Sequence, residues 1–390
     1  MRDAAPTDQD ELTWRELVAR GIYHTGLLKM AQRLSRAYEL THGSGRLWPK
    51  WQRVWQPKFL ILGYHRVGTE GVPLFSRLSP EEFEAQLCFL KQHYRIVSLD
   101  ELWRELQDPQ TSHQAAAITF DDGYRDVYTC AFPILQKYRI PATVFLTVDS
   151  IETGDVPWYD RVFLVLRVFP GSELVLDLDR PRFFDLSSVA ARLHAAEKIV
   201  ACLRTLPDWR RQECCAALEQ QVALPEEELR ERILTWEQIR AMHRAGITFG
   251  SHTLTHRVIS RLEPAQMQRE LLESKKIIEC RLDSPVMDFS YPFGKAADCG
   301  TAAREWVIRS GYRLALTTVP GINKPSADPY ALRRISMGHC RSLESFALFI
   351  TLLFLRAETE DAGRDAHLSA PAAGETGLAT GQHELPRNHA

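Results

Sequence analysis

The sequence has no marked excess of charge, no long apolar run and no paired cysteines. Its formal net charge is −2 over 390 residues, which gives no global field that would attract nucleic acid. The longest apolar run, residues 346–355, is about half of the roughly 20 residues that a membrane-spanning helix needs. The eight cysteines form no CxxC pair, so neither a zinc ribbon nor a disulfide framework is indicated. We therefore expect a soluble protein with reduced thiols.

The amino terminus also lacks the apolar stretch of a signal peptide, because residues 1–14 are polar and acidic. This predicts a cytoplasmic location. Between Trp14 and Lys58, nine Lys or Arg residues accompany two Glu and four Trp residues. Basic residues interleaved with Trp favour contact of residues 12–56 with an anionic membrane, here the inner face of the cell membrane. The alternative is a helix that packs on the following domain.

From residue 59 onward, short apolar runs alternate with helical stretches such as 80–93 and 263–281. The predicted strands are 59–65, 94–99, 115–120, 142–148, 246–251, 286–291, 313–318 and 331–337. Continuous apolar runs are typical of strands that are buried on both faces of a parallel sheet. We predict an α/β fold, a distorted (β/α)7–8 barrel over 59–340 that follows an extension at 1–58. A helical insertion at 150–235, a C-terminal helix at 341–356 and a disordered tail at 357–390 complete the predicted organisation.

Ionisable residues lie at two predicted strand ends, a pair of aspartates at one and a pair of histidines at the other. Asp121 and Asp122 follow the strand 115–120, and His252 and His256 follow the strand 246–251. A four-residue spacing is one turn of helix, which would let both imidazoles reach one ion. Two imidazoles and one carboxylate suit a catalytic Zn²⁺, and Co²⁺, Ni²⁺ or Mn²⁺ also bind mixed nitrogen and oxygen ligands. Neighbours on an extended strand face opposite ways, so one aspartate would bind the ion and the other would act as a base.

These segments resemble the polysaccharide deacetylases, carbohydrate esterase family 4, also called the chitooligosaccharide deacetylase homology domain. The signature pair is TFDDG at 119–123 with SHTLTH at 251–256. The YHRV segment at 64–67 and the YPFG segment at 291–294 resemble one branch of that family. The landmarks run in family order from about residue 59 to 337.

The resemblance assigns roles that the residues alone leave open. It implies that Asp122, His252 and His256 hold the metal and that Asp121 is the base for the attacking water. Arg333 or Arg334 would be the cationic neighbour of that base, with Arg334 preferred. An ordinary surface ion pair is the alternative for these arginines.

The substrate side of the predicted site involves two segments. The YPFG segment, with Tyr291, Pro292 and Phe293, would contact substrate, and the backbone N–H of Tyr291 would stabilise the oxyanion. Trp158 and Asp160, at the start of the insertion, would pack against a sugar ring. A helical decoration without ligand contact is the alternative for the insertion.

The catalytic acid is where the sequence departs from the commonest family pattern. Many members supply it from a late-strand histidine, but residues 314–318 contain none. His65, in the YHRV segment, is the preferred replacement and His339 the weaker one. A buried histidine that only supports the site is the alternative for His65. The YPFG segment, which corresponds to the third motif of the family, also lacks the arginine of the RxPY version of that motif.

We therefore predict metal-dependent removal of N-acetyl groups from amino sugars of a polysaccharide or a lipid-linked glycan precursor, as in exopolysaccharide biosynthesis. One alternative is a hydrolase of the same fold that acts on a non-sugar amide. The other is an inactive module that holds a metal and binds glycan.

Overall fold

The computed structural model describes residues 59–68, 78–108, 110–111, 113–224, 232–325, 327–337 and 342–350. The predicted membrane-contacting segment at 12–56, the tail at 357–390 and His339 lie outside the described residues. In the described part of the chain, none of the helices combines the length and the apolar character needed to cross a membrane.

A curled parallel sheet forms the centre of the fold. Its strands are β1 (Phe59–Tyr64), β2 (Arg95–Ile96), β3 (Ala115–Phe120), β4 (Ala142–Leu146), β7 (Thr248–Ser251), β8 (Asp288–Ser290), β9 (Leu314–Leu316) and β10 (Ile335–Ser336). The strand order is β10-β1-β3-β4-β7-β8-β9, with β2 beside β3. A parallel bridge between Leu316 and Leu332 brings the segment before β10 next to β9, so the two edges of the sheet approach each other. The predicted α/β barrel is confirmed in this curled form.

Burial on both faces explains the continuous apolar runs of the strands. Every residue of β1, β3 and β4 is buried. Phe59 and Ile61 belong to one apolar cluster, whereas Leu60 and Leu62 belong to a second one, as the alternation of side chains along a strand requires. Both faces of the sheet are therefore packed.

Helices connect the strands, and several of them begin at a side-chain cap. Ser79 and Glu82 form a capping box at the start of the first helix, and Ser98 and Glu101 form one at the second. The helices are α1 (Pro80–His93), α2 (Leu99–Gln107), α3 (Phe132–Tyr138), α4 (Val148–Thr153), α5 (Trp158–Val168), α6 (Val189–Leu203), α7 (Asp208–Glu219), α8 (Trp236–Arg244), α9 (Pro264–Leu282), α10 (Ala296–Cys299), α11 (Thr301–Arg309) and α12 (343–350). A π-helix (Val127–Ala131) and a 3-10 helix (Ile259–Arg261) are also present.

The insertion between β4 and β7 has an apolar core of its own. Side chains of α5, α6 and α7 form this core together with a hairpin, β5 (Glu173–Asp177) and β6 (Pro181–Asp185). The helical character predicted for the insertion at 150–235 matches α6 and α7, but the antiparallel hairpin was not predicted. Each of its strands is only five residues long and is half exposed, which leaves a weak alternating pattern.

Candidate metal centre

Three side chains converge at the ends of β3 and β7. A carboxylate oxygen of Asp122 and a ring nitrogen each of His252 and His256 lie within 4.8 Å of one another, and all three residues are buried. The Oδ1 atom of Asp122 is 3.5 Å from Nε2 of His252 and 3.3 Å from Nε2 of His256. This oxygen has no hydrogen-bond partner among the described residues, although it is buried. An unpaired buried carboxylate oxygen that faces two imidazole nitrogens fits a divalent metal ion.

The backbone that presents these ligands is irregular, so the predicted helical turn between the histidines is wrong. Residues 252–258 have no helical structure. Thr253 and His256 have positive φ values of 71° and 55°, and this left-handed backbone turns the second imidazole back towards the first. Asp122 also has a positive φ of 72°, so a turn after β3, rather than strand alternation, separates its side chain from that of Asp121.

The electrostatic surroundings favour the protonation states that a metal needs. Burial lowers the pKa of His252 to about 4, so its imidazole is neutral near pH 7. Its Nδ1 donates to the carbonyl oxygen of Ser290 at 2.7 Å, which leaves the Nε2 lone pair free. Burial alone would raise the pKa of Asp122, but His256 and the other nearby imidazoles hold it well below its usual range. The site thus presents the neutral imidazole of His252 and the ionised carboxylate of Asp122.

Asp121 is paired with Arg334 and does not belong to the cluster of candidate metal ligands. Its two oxygens accept hydrogen bonds from Nη1 and Nη2 of Arg334 at 2.8 and 2.7 Å. Nε of this arginine donates to the carbonyl oxygen of Thr317, and Nη2 also donates to Oγ of Ser290. Arg333, the other predicted candidate, is exposed and donates to a backbone carbonyl. Arg334 therefore supplies the cation that the third motif lacks.

His65 lies within electrostatic reach of both aspartates. It follows the last residue of β1 and is half-buried. Its charge contributes to the lowering of the pKa of Asp121 and of Asp122. The structure thus brings the preferred acid candidate to the site.

The predicted oxyanion donor is wrong. The backbone N–H of Tyr291 donates to the carbonyl oxygen of Leu316 at 3.0 Å, because the pairing of β8 with β9 continues past Ser290. Tyr291 is 1% exposed, so its side chain cannot contact a substrate either. Pro292 has no N–H. Phe293 supplies the remaining amide among these three residues, and it adopts a positive φ of 59°.

The prediction that Asp160 packs against a sugar ring is also wrong. Asp160 is 4% exposed, and its Oδ2 accepts a hydrogen bond from the hydroxyl of Tyr124 at 2.8 Å. Tyr124 lies two residues after Asp122, so Asp160 attaches the insertion to the loop that carries a candidate ligand.

Aromatic rings of the insertion and of the YPFG segment surround His256. The Tyr159 ring is 4.6 Å and the Phe293 ring 5.0 Å from the His256 ring, between centroids. Trp158, which is partly exposed, lies 6.1 Å from Phe293. The insertion therefore forms part of the wall beside the candidate metal centre, and we call Trp158, Tyr159 and Phe293 the aromatic wall.

Two residues that position the site were not predicted. Glu270 on α9 is buried, and its carboxylate accepts hydrogen bonds from the backbone N–H groups of Leu254 and Thr255. The available signal was a carboxylate on the buried stripe of α9, beside Leu271 and Ser274. Ser290 belongs to a predicted strand end, but its contacts with both Arg334 and His252 depend on tertiary structure.

An Asp-His-His cluster at the strand ends of a parallel α/β barrel is typical of metal-dependent hydrolases. The family model described as polysaccharide deacetylase matches residues 108–309. The chain therefore belongs to the polysaccharide deacetylase family.

Individual relatives agree with this assignment. YxkH of Bacillus subtilis (strain 168), which is named as a polysaccharide deacetylase, is 26% identical over 303 residues, 77% of this chain and 79% of that protein. The poly-β-1,6-N-acetyl-D-glucosamine N-deacetylase of Staphylococcus epidermidis is 32% identical over 107 residues, which are 24% of this chain and 37% of that protein. The structure of the Streptococcus pyogenes deacetylase PplD in complex with acetate has a TM-score of 0.51 and 20% identity, and the match covers 75% of this chain and 97% of that one. This structural likeness supports the fold.

Proposed function

We propose that the protein hydrolyses N-acetyl groups of amino sugars in a polysaccharide or a lipid-linked glycan precursor, with the help of a divalent metal. The observation that carries the proposal is the pairing of two carboxylates with different partners. Asp122 faces His252 and His256 with an unpaired oxygen, while Asp121 is bound to Arg334. A site that only holds a metal has no need of the second carboxylate, which disfavours an inactive module.

The residues of the site divide the work as follows. Asp122, His252 and His256 would hold the ion, with Zn²⁺ the preferred metal. When bound, such an ion polarises the acetyl carbonyl and increases the acidity of a water molecule. Asp121 accepts the proton of the attacking water, and Arg334 keeps Asp121 ionised and correctly oriented. His65 donates a proton to the leaving amine.

Stabilisation of the oxyanion falls to a different amide than the sequence suggested. The N–H of Tyr291 is already bonded to Leu316, so we assign this role to the backbone N–H of Phe293. Its positive φ and its position beside His256 support the assignment. The ring of the same residue contributes to the aromatic wall.

Acetate release by the metal-loaded full-length chain tests the proposal. The substrate panel contains oligomers of β-1,4- and β-1,6-linked N-acetylglucosamine, since one relative is named for the latter polymer. We expect acetate from at least one oligomer, and loss of that acetate with chelator and in Asp121→Asn. Acetate from N-acetylated small amides alone would favour the non-sugar hydrolase. Metal binding without acetate from any substrate would favour the inactive module.

A further inference from the structure

Arg204, at the end of α6 in the insertion, is separated from the candidate metal centre by one aromatic ring. Its guanidinium carbon lies 4.1 Å from the centroid of the Phe293 ring, and that ring is 5.0 Å from the ring of His256. A guanidinium stacked on an aromatic face is held in a fixed orientation, with its N–H groups pointing outward in the plane. Arg204 is thus a positioned donor next to the place where the acetamide would bind.

Only part of the donor capacity of Arg204 is used inside the protein. Its Nη2 donates to Oδ2 of Asp298 at 2.7 Å. Within the described ranges, Nε and Nη1 have no recorded acceptor, and the side chain is 18% exposed. A guanidinium offers five N–H donors, so several remain available to a ligand.

A second arginine repeats this arrangement on the same wall. Arg211 of α7 lies with its guanidinium carbon 4.9 Å from the centroid of the Trp158 ring. Arg211 and Arg257 both bind the carboxylate of Asp208. Burial, helped by the charge of Arg257, lowers the pKa of Arg211 although Asp208 opposes this shift. Arg257 has a second carboxylate partner, Glu270 at 3.6 Å, so what Arg211 offers a ligand is its remaining N–H donors and not an excess of charge.

We infer that Arg204 and Arg211 form a subsite for an oxyanion, a phosphate or a carboxylate, that the N-acetylated substrate carries. This inference rests on the proposed function, because it assumes a sugar whose acetamide is at the Asp122 centre. Stacked guanidinium groups recognise phosphate and carboxylate through paired N–H donors. A wall for neutral sugar requires aromatic rings but no such cations. The competing explanation is that the two arginines only attach the insertion to the barrel through Asp298 and Asp208.

The test compares neutral and anionic substrates with the metal-loaded full-length chain and its Arg204→Met variant. Methionine keeps apolar contact with Phe293 but removes the charge and the donors. The neutral probe is an N-acetylglucosamine tetramer. The anionic probes are N-acetylglucosamine 1-phosphate, its nucleoside diphosphate ester, and a tetramer that alternates N-acetylglucosamine with glucuronate. Arg309→Met, at an exposed position of α11, is the matched control.

We expect the wild type to prefer at least one anionic probe. In Arg204→Met the ratio of kcat/KM for that probe over the neutral tetramer falls about tenfold, the scale of one charge-assisted contact of 1.4 kcal/mol. Arg204→Lys restores part of the ratio, and Arg309→Met leaves it unchanged. Preference for the phosphate esters or for the glucuronate oligomer identifies the source of the oxyanion. An equal loss for neutral and anionic probes would show a purely structural arginine and overturn the inference.

Direct binding separates this inference from the proposed function. Calorimetric titration with N-acetylglucosamine 1-phosphate needs no turnover. If no substrate releases acetate but this probe binds the wild type at least tenfold more tightly than Arg204→Met, the proposed function fails and the subsite stands. If acetate is released from the neutral tetramer while no anionic probe binds or reacts better, the function stands and the subsite fails.

Discussion

At the scale of single residues, the contact between Asp121 and Arg334 determines the protonation state of Asp121. Both side chains are almost completely buried, and two hydrogen bonds of 2.8 and 2.7 Å join them. Burial alone would raise the pKa of Asp121, but Arg334 and His252 reverse this effect and the net shift is downward. Asp121 therefore stays ionised even in mildly acidic solution.

Asp121→Asn should separate the base from the metal ligands. The amide has nearly the shape of the carboxylate but cannot accept the proton of water, so we expect kcat to fall by about 10²–10⁴. Competition with a chromophoric chelator should give a Zn²⁺ affinity within a few-fold of the wild type. Asp122→Asn is the matched comparison, and we expect it to lose the metal. Comparable loss of metal in both variants would contradict the division of roles between the two aspartates.

Replacement of Arg334 should change the pH dependence as well as the stability. Without this cation the pKa of Asp121 rises, so the acidic limb of the kcat/KM profile moves to higher pH in Arg334→Met. Arg334→Lys keeps the charge and should show a smaller displacement. An unchanged acidic limb in both variants would rule out Asp121 as the titrating base.

The same pair should contribute to stability in a pH-dependent way. A buried carboxylate that loses its partner costs about 3–5 kcal/mol, which urea titration of Arg334→Met can measure. The folded-state pKa of Asp121 is depressed, so this contribution is present above the ordinary aspartate pKa of about 3.9 and is lost as the pH falls through the lower folded value. The difference in unfolding free energy between wild type and variant should therefore shrink in acid.

At the scale of elements, the insertion is attached to the loop that carries Asp122 by a buried hydrogen bond. Asp160 on α5 accepts from Tyr124, and the loop after Asp122 also pairs with Ile233 through an antiparallel bridge. Burial raises the pKa of Asp160 to about 7, although Tyr124 and Arg66 oppose this shift. An element that supplies part of the aromatic wall is thus attached through a group that titrates near neutrality.

Asp160→Asn should alter how stability depends on pH. Because the folded-state pKa of Asp160 is raised above about 3.9, the folded state binds more protons than the unfolded state between these values, and wild-type stability falls as the pH rises from about 4 to 7. The asparagine variant lacks this loss, so its free energy of unfolding, relative to that of the wild type, should increase by up to about 1.4 kcal/mol per pH unit. Urea titration of the chelator-treated proteins at several pH values measures the difference. Asp155→Asn, at an exposed neighbouring position, is the control and should not show this increase. If the free energy of unfolding depended on pH in the same way in Asp160→Asn and in the wild type, this would contradict a raised pKa of Asp160.

The elements that the sequence predicted well are those set by local pattern. The strand 115–120 and the helix 80–93 have the predicted bounds, because an apolar run and a capping box are local signals. The predicted strand at 331–337 shrinks to Ile335–Ser336, since pairing across the sheet decides its length. Chain propensity gives no information on such pairing.

In the candidate site, too, the features set by local pattern were predicted and those set by tertiary contacts were not. The positions of the aspartates and histidines after β3 and β7 were predicted from strand ends. The left-handed backbone at Thr253 and His256 was not, because a positive φ at a β-branched residue such as Thr is an outlier that no local pattern indicates. Likewise the hydrogen bond from the Tyr291 amide to Leu316 depends on which strands are neighbours in space. Contacts between distant parts of the chain thus account for most of the errors.

At the scale of the whole molecule, the basic segment ahead of the barrel is proposed to bring the enzyme to an anionic membrane surface. Residues 12–56 combine Lys and Arg with Trp. A chain lacking residues 1–56 should lose most of its binding to liposomes that contain anionic lipid, and the full chain should lose binding as salt is raised. Neutral liposomes are the control. Equal sedimentation of both chains with anionic liposomes would show that this segment is not the contact.

Metal binding should stabilise the whole barrel, because the ligands come from two strands that are not neighbours. Asp122 follows β3, whereas His252 and His256 follow β7, and β4 lies between these strands in the sheet. A ligand that binds only the folded state raises the free energy of unfolding, by about 4 kcal/mol at a thousand times its Kd. Zn²⁺ should therefore raise the melting temperature of chelator-treated protein.

Substitution of one ligand should remove this effect. In His256→Ala we expect little or no rise, since two ligands and water bind Zn²⁺ far more weakly than three. His113→Ala is the control, because this exposed histidine bonds only to Glu105 among the described residues. A rise of the same size in His256→Ala would place the stabilising ion elsewhere. A rise in melting temperature that is abolished in His256→Ala and kept in Asp121→Asn would show that the stabilising ion needs His256 and does not need Asp121.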